Sequence, residues 1–507
     1  MTVDVPALAS AELVHDLLLR AADVHRDRPS VRDRDGAWSY AELQENADRA
    51  AGWLDGLGLR RGMRLLCLLP GSRDFAALLF GAMSRGVILV PVAEHASAYQ
   101  LRHLLADAAP AAVVTTADRV AELTDVTSVP VLAPAYADVP AAAATGPTGT
   151  PDDPALLVYT SGTTARPKGI VCPHGAVVWA ARAVAERVGY LPTDVVYCRV
   201  PVSFDYGLYQ LFLAVLAGAE VVYPHGAASA RELVAIRGAG ATVVPVVPTL
   251  ALLLARLGER DPRPTSVRLL TNTGAALTGR DAERVRAAFP DAALICMYGM
   301  SECKRISIAA PDEDLAFPGT VGRPLRGTRL FVVGRDGEPV ACGGVGEIVV
   351  AGPHVMAGYW GPAAAAEQRE RFVAAPDGVG RALRTGDFGW VDEGGRLYFH
   401  GRRDDLFKRR GWRVSCQEVE SAAQDVEGVE QAACVPPGPD GTFTVWTTGA
   451  AAPDEVLLGI GARLGAAKTP DRCVPVERMP LTANGKIDKA ALEAGAVGGR
   501  REPSSYS

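Results

Sequence analysis

The hydrophobic pattern of this chain changes character once, and that change limits what it can fold into. Up to Cys296, short apolar runs alternate with stretches of helical period. Ser39 to Leu57 carries apolar residues at 43, 47, 50, 51 and 54, one face of a helix. Arg64 to Leu69 reads as a strand, Asp74 to Ser84 as a helix and Val87 to Val92 as a strand. Further strands are expected at Val195–Val200, Glu220–Tyr223, Thr242–Val247, Arg268–Thr271 and Ala293–Cys296. Such alternation predicts α/β layers built on parallel strands. From Thr328 onward the strands are short and separated by Arg335-Asp336-Gly337, Cys342-Gly343-Gly344 and Glu393-Gly394-Gly395, which is hairpin chemistry. A compact block follows from Asp405 to Glu493. The expected fold class is α/β. A large N-terminal domain of α/β layers with a small β-rich subdomain occupies residues 1–403, and a small mobile C-terminal α+β domain occupies residues 404–493. The remaining residues, 494–507, are Gly-, Arg- and Ser-rich and are expected to lack fixed structure.

A chain of 507 residues exceeds one ordinary hydrophobic core, in keeping with several domains. The formal net charge of -6 argues against a nucleic-acid binder, which would present a basic stripe. Met1 to Ala11 lacks the basic start and apolar run of a secretory signal. The most apolar stretch, Leu208 to Val222, is interrupted by Gln210 and Glu220 and is too short to span a bilayer. Nine scattered cysteines without a C-x-x-C pair fit reduced thiols, and a cytoplasmic location is expected. The eight histidines show no ligand spacing for zinc.

The densest chemistry lies in Tyr159-Thr160-Ser161-Gly162-Thr163-Thr164-Ala165-Arg166-Pro167-Lys168-Gly169, directly after the apolar run Ala155–Val158. A hydroxyl- and glycine-rich loop leaving a buried strand can wrap polyphosphate with N–H and O–H donors, and a lysine adds charge. The Walker A pattern is absent. Four more segments follow in order: Met297-Tyr298-Gly299-Met300-Ser301-Glu302, Thr385-Gly386-Asp387, Gly401-Arg402-Arg403-Asp404, and Pro480-Leu481-Thr482-Ala483-Asn484-Gly485-Lys486. An aromatic beside a carboxylate suits a nucleotide base and a divalent cation. An aspartate at a tight turn can accept from two ribose hydroxyls. Asn-Gly marks a turn, which puts Lys486 at a loop tip.

Together these segments resemble the signature motifs of the adenylate-forming superfamily, which includes acyl- and aryl-CoA synthetases, adenylation enzymes of nonribosomal peptide synthesis and luciferases. The resemblance runs from about Ser39 to Leu492. It implies ATP and Mg²⁺ as cofactors, and phosphopantetheine on a carrier protein or coenzyme A as acceptor. It also implies residue roles. Thr160, Ser161, Gly162, Thr163, Thr164 and Lys168 would hold the phosphates. Gly274, Ala275 and Ala276 would wall the adenine, Tyr298 would stack on it, Ser301 would lie near the α-phosphate, and Met297, Gly299 and Met300 would complete the nucleotide site. Asp387 would bind the ribose hydroxyls, Arg402 would contact the ribose or a phosphate, and Glu302 would hold the metal. Thr163, Glu302 and Lys486 would be catalytic, and Asp404 would be the hinge of a rotating C-terminal domain. Ala165 stands where the superfamily usually has glycine.

The same resemblance places Phe204, Asp205, Tyr206, Tyr209, Met297, Arg305 and Ile306 around the acid. An aspartate at the position of Asp205 pairs with the substrate ammonium in amino-acid-activating relatives, which favours an amino acid. A helix-capping role for Asp205 is the rival reading. Arg305 would pair either with Asp205 or with a second carboxylate on the substrate. No carrier module is visible after Lys486, so the chain is expected to be a stand-alone ligase serving a separate carrier protein. An acyl-CoA synthetase acting on a non-amino acid, and a non-catalytic nucleotide-binding homologue, are the alternatives. Neither a nucleic acid nor a membrane is an expected partner.

Overall fold

The computed structural model describes residues 13–141, 149–160, 167–226, 228–277, 279–402, 405–409, 412–437, 441–482 and 485–495. Two large sheets carry the N-terminal part. In the nine-stranded sheet, Pro29–Asp33, Glu220–Val222, Val195–Tyr197, Val243–Val246, Leu269–Asn272 and Ala293–Tyr298 run parallel in that spatial order. Antiparallel strands close both edges: Gly36–Ser39 on one side, Ser307–Ile308 and Arg323–Pro324 on the other. In the seven-stranded sheet, Pro154–Thr160, Ile88–Pro91, Arg64–Cys67, Ala112–Val114 and Val131–Leu132 run parallel. Lys168–Pro173 then returns antiparallel against Pro154–Thr160, with Thr160 opposite Lys168. This antiparallel return stands beside the parallel strands that the alternation led one to expect.

Helices cover the sheets because their apolar periods match a buried face. Tyr40–Gly56 buries Leu43, Ala47, Ala50, Ala51 and Leu54, and is opened by a Ser39/Glu42 capping box. The helix Asp205–Ala217 is buried nearly all round, as a helix held between layers must be. One continuous core unites both large sheets and these helices.

The β-rich block forms a five-stranded antiparallel sheet of Arg329–Val333, Gly346–Ala351, Arg381–Val391, Phe372–Ala374 and Leu397–Arg402. After it come the hairpin Leu406–Arg409/Trp412–Ser415 and a three-stranded sheet of Val429–Cys434, Thr444–Gly449 and Arg472–Pro475. Helices Cys416–Gln424 and Pro453–Leu464 pack there around a separate core. This C-terminal unit rests on the helices Pro248–Arg260 and Gly279–Ala288. Thr249 Oγ1 donates to the Gly485 carbonyl at 2.8 Å, Arg256 meets Glu430 at 2.6 Å, and Arg280 donates to the Gln424 carbonyl at 2.8 Å. All nine cysteines are free thiols. Among the described residues no helix is long and apolar enough to cross a membrane.

Candidate active site

The loops that leave the carboxyl ends of the strands Val195–Tyr197, Leu269–Asn272 and Ala293–Tyr298 converge on one crevice, where open α/β sheets bind ligands. Lys486 reaches that crevice from the C-terminal unit. Its Nζ lies 5.6 Å from the Phe204 ring centre. A Cβ at Gly274, whose φ is +90°, would lie 3.5 Å from Lys486 Cε. Burial and the neighbouring Arg402 bring the Lys486 ammonium down to a pKa of about 8, partly opposed by Asp205 and Asp387. Ser161, Gly162, Thr163, Thr164 and Asp404 lie outside the described residues, and Thr160 is described only as the last residue of its strand.

Lys168 forms an ion pair with Glu367. Burial and Arg371 lower its pKa. Glu302 is buried, and one oxygen, Oε1, takes both of its contacts: Arg371 Nη1 at 2.6 Å and Tyr359 Oη at 2.7 Å. Among the described residues no cluster of three potential metal ligands exists. One carboxylate whose Oε2 takes no hydrogen bond from the described residues still fits Mg²⁺, which keeps several waters and binds through one or two carboxylates plus substrate phosphates. Asp387 pairs in register with Arg402 across the strands, with Arg402 Nε 3.4 Å from Oδ1. Tyr298 Oη donates to Asp387 Oδ2 at 2.6 Å. Burial raises the Asp387 pKa, and Arg402 opposes that.

Gly299 has no substitute. A Cβ there would lie 1.9 Å from the Lys304 carbonyl oxygen, so the chain from 299 to 304 folds back on itself only because the side chain is absent. The return leaves Lys304 at φ +60°, a left-handed conformation that costs a residue with a Cβ.

That strained turn sends two cations into one narrow cavity lined by Tyr190, Tyr206, Tyr209, Met297, Lys304 and Arg305, among others. Arg305 Nη1 is 3.7 Å from Asp205 Oδ2, an ion pair longer than a hydrogen bond. Its guanidinium also lies 4.9 Å from the Tyr206 ring centre. Asp205 is the first residue of its helix, not the cap, which is Phe204. In and beside this cavity four buried polar atoms have no hydrogen-bond partner among the described residues: Asp205 Oδ2, Lys304 Nζ, Arg305 Nε and Tyr209 Oη. Buried polar groups are normally satisfied, so this set is suited to a polar ligand.

Of the residues expected around the acid, Tyr206, Tyr209, Met297 and Arg305 line this cavity, and Phe204 lies beside Lys486. Ile306 does not: it packs with Cys303, Ile348 and Leu383 in the core of the β-rich subdomain, on the far side of the turn. Gly274, Ala275 and Ala276 form the bend after Asn272, whose Nδ2 donates to the Ala275 carbonyl at 3.3 Å. Sequence reasoning missed Lys304, Tyr359 and Arg371. The run Lys304-Arg305 after the acidic motif was the one available signal for the first.

The model of the AMP-binding enzyme family matches residues 18–360, so the chain belongs to the AMP-binding enzyme family. It is an adenylating enzyme, an AMP-forming acid–thiol ligase that activates a carboxylic acid with ATP. It is similar to the salicyl-AMP ligase / salicyl-S-ArCP synthetase of Mycobacterium tuberculosis, 33% identical over 95% of this chain and 90% of the relative. It is also similar to the sulfoacetate–CoA ligase of Cupriavidus necator, 32% identical over 92% of this chain and 94% of the relative. Against a longer relative the chain spans as little as 6% of its length. Among solved structures, VinN in complex with L-aspartate is 39% identical, with a TM-score of 0.70 over 77% of this chain and 99% of that one.

Proposed function

We propose that this chain activates a small amino acid carrying a second carboxylate, an aspartate-like acid, and passes the acyl group to the phosphopantetheine thiol of a separate carrier protein. The observation that carries the reading is the set of orphaned buried atoms in and beside the acid cavity: the Asp205 carboxylate, the Arg305 guanidinium 3.7 Å from it, and the Lys304 ammonium over the Tyr209 ring. A buried cation without a full partner is costly, and two such cations with one carboxylate leave a positive excess. A ligand with one ammonium and one spare carboxylate satisfies the set: ammonium on Asp205, carboxylate between Lys304 and Arg305, Tyr209 Oη donating. VinN, similar to this chain, is recorded with L-aspartate and with 3-methylaspartate.

The remaining carboxylate then faces Lys486. Its oxygen attacks the α-phosphorus of ATP, the new O–P bond forms, and the bond to the bridging oxygen breaks as pyrophosphate leaves. An anion attacking a polyanion gains most from charge neutralisation and in-line positioning. Lys486 supplies one positive charge, and Lys168 with the residues 160–164 holds the outer phosphates. Asp387 and Arg402 fix the ribose, while the bend at Gly274, Ala275 and Ala276 and the segment Met297 to Ser301 hold the base. Glu302 would hold Mg²⁺, which when bound supplies charge at the phosphates. In the second half-reaction the thiol sulfur attacks the acyl carbon, a C–S bond forms, and AMP leaves with the electron pair of the C–O bond. Rotation of the unit 404–493 about Asp404 clears Lys486 from the thiol's path.

A second reading has its own support. Asp205 and Arg305 already approach to 3.7 Å, so an acid with a second anionic group and no amine would need only the cations, as in a CoA ligase like the sulfoacetate enzyme. ATP–pyrophosphate exchange separates the two. Exchange driven by aspartate or 3-methylaspartate and not by succinate, malonate or sulfoacetate supports the amino acid reading. The reverse order of substrates rejects it. A parallel assay with coenzyme A and with a holo-carrier protein identifies the acceptor by the mass of the thioester.

A further inference from the structure

Arg371 ends the short helix Ala365–Arg371, and all of its donors turn inward. Nη1 donates to Glu302 Oε1 at 2.6 Å and to Tyr359 Oη at 2.7 Å. Nε donates to the Arg384 carbonyl at 3.2 Å, and Nη2 to the Thr385 carbonyl at 3.0 Å, with Met300 Sδ at 3.7 Å. Tyr359 Oη donates to the same Glu302 oxygen, and its own backbone N–H is held by Gln368 Oε1 at 2.8 Å. The carbonyls of Arg384 and Thr385 belong to the strand Arg381–Val391 that carries Asp387, not to the tight turn expected there, and the Asp387 N–H donates to Thr385 Oγ1 at 3.0 Å. One guanidinium therefore joins the carboxylate of Glu302 to the backbone that carries Asp387. Lysine could not do this, since it has no planar fork with donors in fixed directions.

We infer that Arg371, together with Tyr359, is a positioning residue that fixes the Glu302 carboxylate for a divalent cation and locks its distance to the strand that carries Asp387. Both donors occupy Oε1 and no described residue donates to Oε2, which leaves that one oxygen for a cation. Rotation of the carboxyl group would break two charge-assisted or short hydrogen bonds at once, so the free oxygen keeps one direction. The role is indirect: neither side chain needs to touch nucleotide. It rests on the reading of Glu302 as the metal-facing carboxylate.

The test is calorimetric binding of a non-hydrolysable ATP analogue to the full chain across a series of Mg²⁺ concentrations. Arg371→Lys keeps the charge and loses the fork. The Mg²⁺ midpoint for analogue binding should rise at least fivefold, with the KM for the acid changed less than twofold. Tyr359→Phe removes one donor and leaves the backbone contacts intact, so a two- to threefold rise is expected, and it carries the test alone should the arginine variant not fold. Glu302→Gln serves as the control for the underlying reading. A control that shifts the midpoint beside Arg371 and Tyr359 variants that lower only the melting temperature would overturn the inference. A control that leaves the midpoint unmoved would remove the metal role of Glu302, and the inference with it.

Discussion

Asp205→Asn is the substitution that separates a binding carboxylate from a structural one. Asparagine keeps the size and removes the charge. At about 4 Å and an effective dielectric near 20, the attraction between a carboxylate and a substrate ammonium is about 4 kcal/mol, or about a thousandfold in kcat/KM. The distance is set by the cavity, where Arg305 Nη1 already stands 3.7 Å from Asp205 Oδ2. An acid without the amine gains nothing from Asp205 and should lose little, because Lys304 and Arg305 remain for its second carboxylate. The ratio of kcat/KM for aspartate over succinate, from pyrophosphate exchange, should therefore fall about a thousandfold. Removing the carboxylate also leaves Arg305 without its ion pair, so the free enzyme should lose about 3–5 kcal/mol of stability and assays belong well below the melting transition. Equal losses for both acids would refute the reasoning and make Asp205 a structural partner of Arg305.

Other outcomes follow from the same geometry. Lys486→Ala should abolish adenylate formation yet spare thiol transfer from supplied acyl-adenylate, and equal loss of both halves would defeat the assignment. Because Lys486 has a pKa of about 8 and acts as the ammonium, adenylation measured by exchange should decline as pH rises through about 8, with Lys486→Arg flattening that decline. Gly299→Ala should abolish both exchange and the cooperative melting transition, since the new methyl overlaps the Lys304 carbonyl. His354 is fully buried against Trp179, neither ring nitrogen has a partner among the described residues, and burial lowers its pKa to about 4. The unfolded chain thus binds the extra proton between about pH 6.5 and 4, so stability falls as pH falls through that window, by about 3 kcal/mol for this one group. Denaturant melts of His354→Phe should show a shallower acid-side loss, and an unchanged slope would count against the buried neutral ring.

The order of strands and helices was legible because each local period was strong. The runs 64–69, 87–92 and 293–296 became strands with ends shifted by a few residues. Spatial order was not legible: Pro29–Asp33 lies beside Glu220–Val222, a pairing that no local pattern encodes. The motif residues could be read because each motif is contiguous in sequence, and Tyr298, Asp387 and Arg402, all on strands, do meet. Ile306 was assigned to the acid pocket by resemblance alone, which carries residue order but not side-chain direction. After the left-handed turn at Lys304, Lys304 and Arg305 line the cavity, while Ile306 packs into the β-rich subdomain. Tyr359 and Arg371 reach Glu302 across 57 and 69 residues, contacts that only tertiary packing creates.

The most direct test of the central claim is a crystal structure with a non-hydrolysable aspartyl-adenylate analogue bound. The account predicts its ammonium within hydrogen-bond distance of Asp205, its free carboxylate between Lys304 Nζ and the Arg305 guanidinium, and its adenylate beside Lys486. An analogue whose free carboxylate points away from both cations, with Arg305 closed onto Asp205, would contradict it.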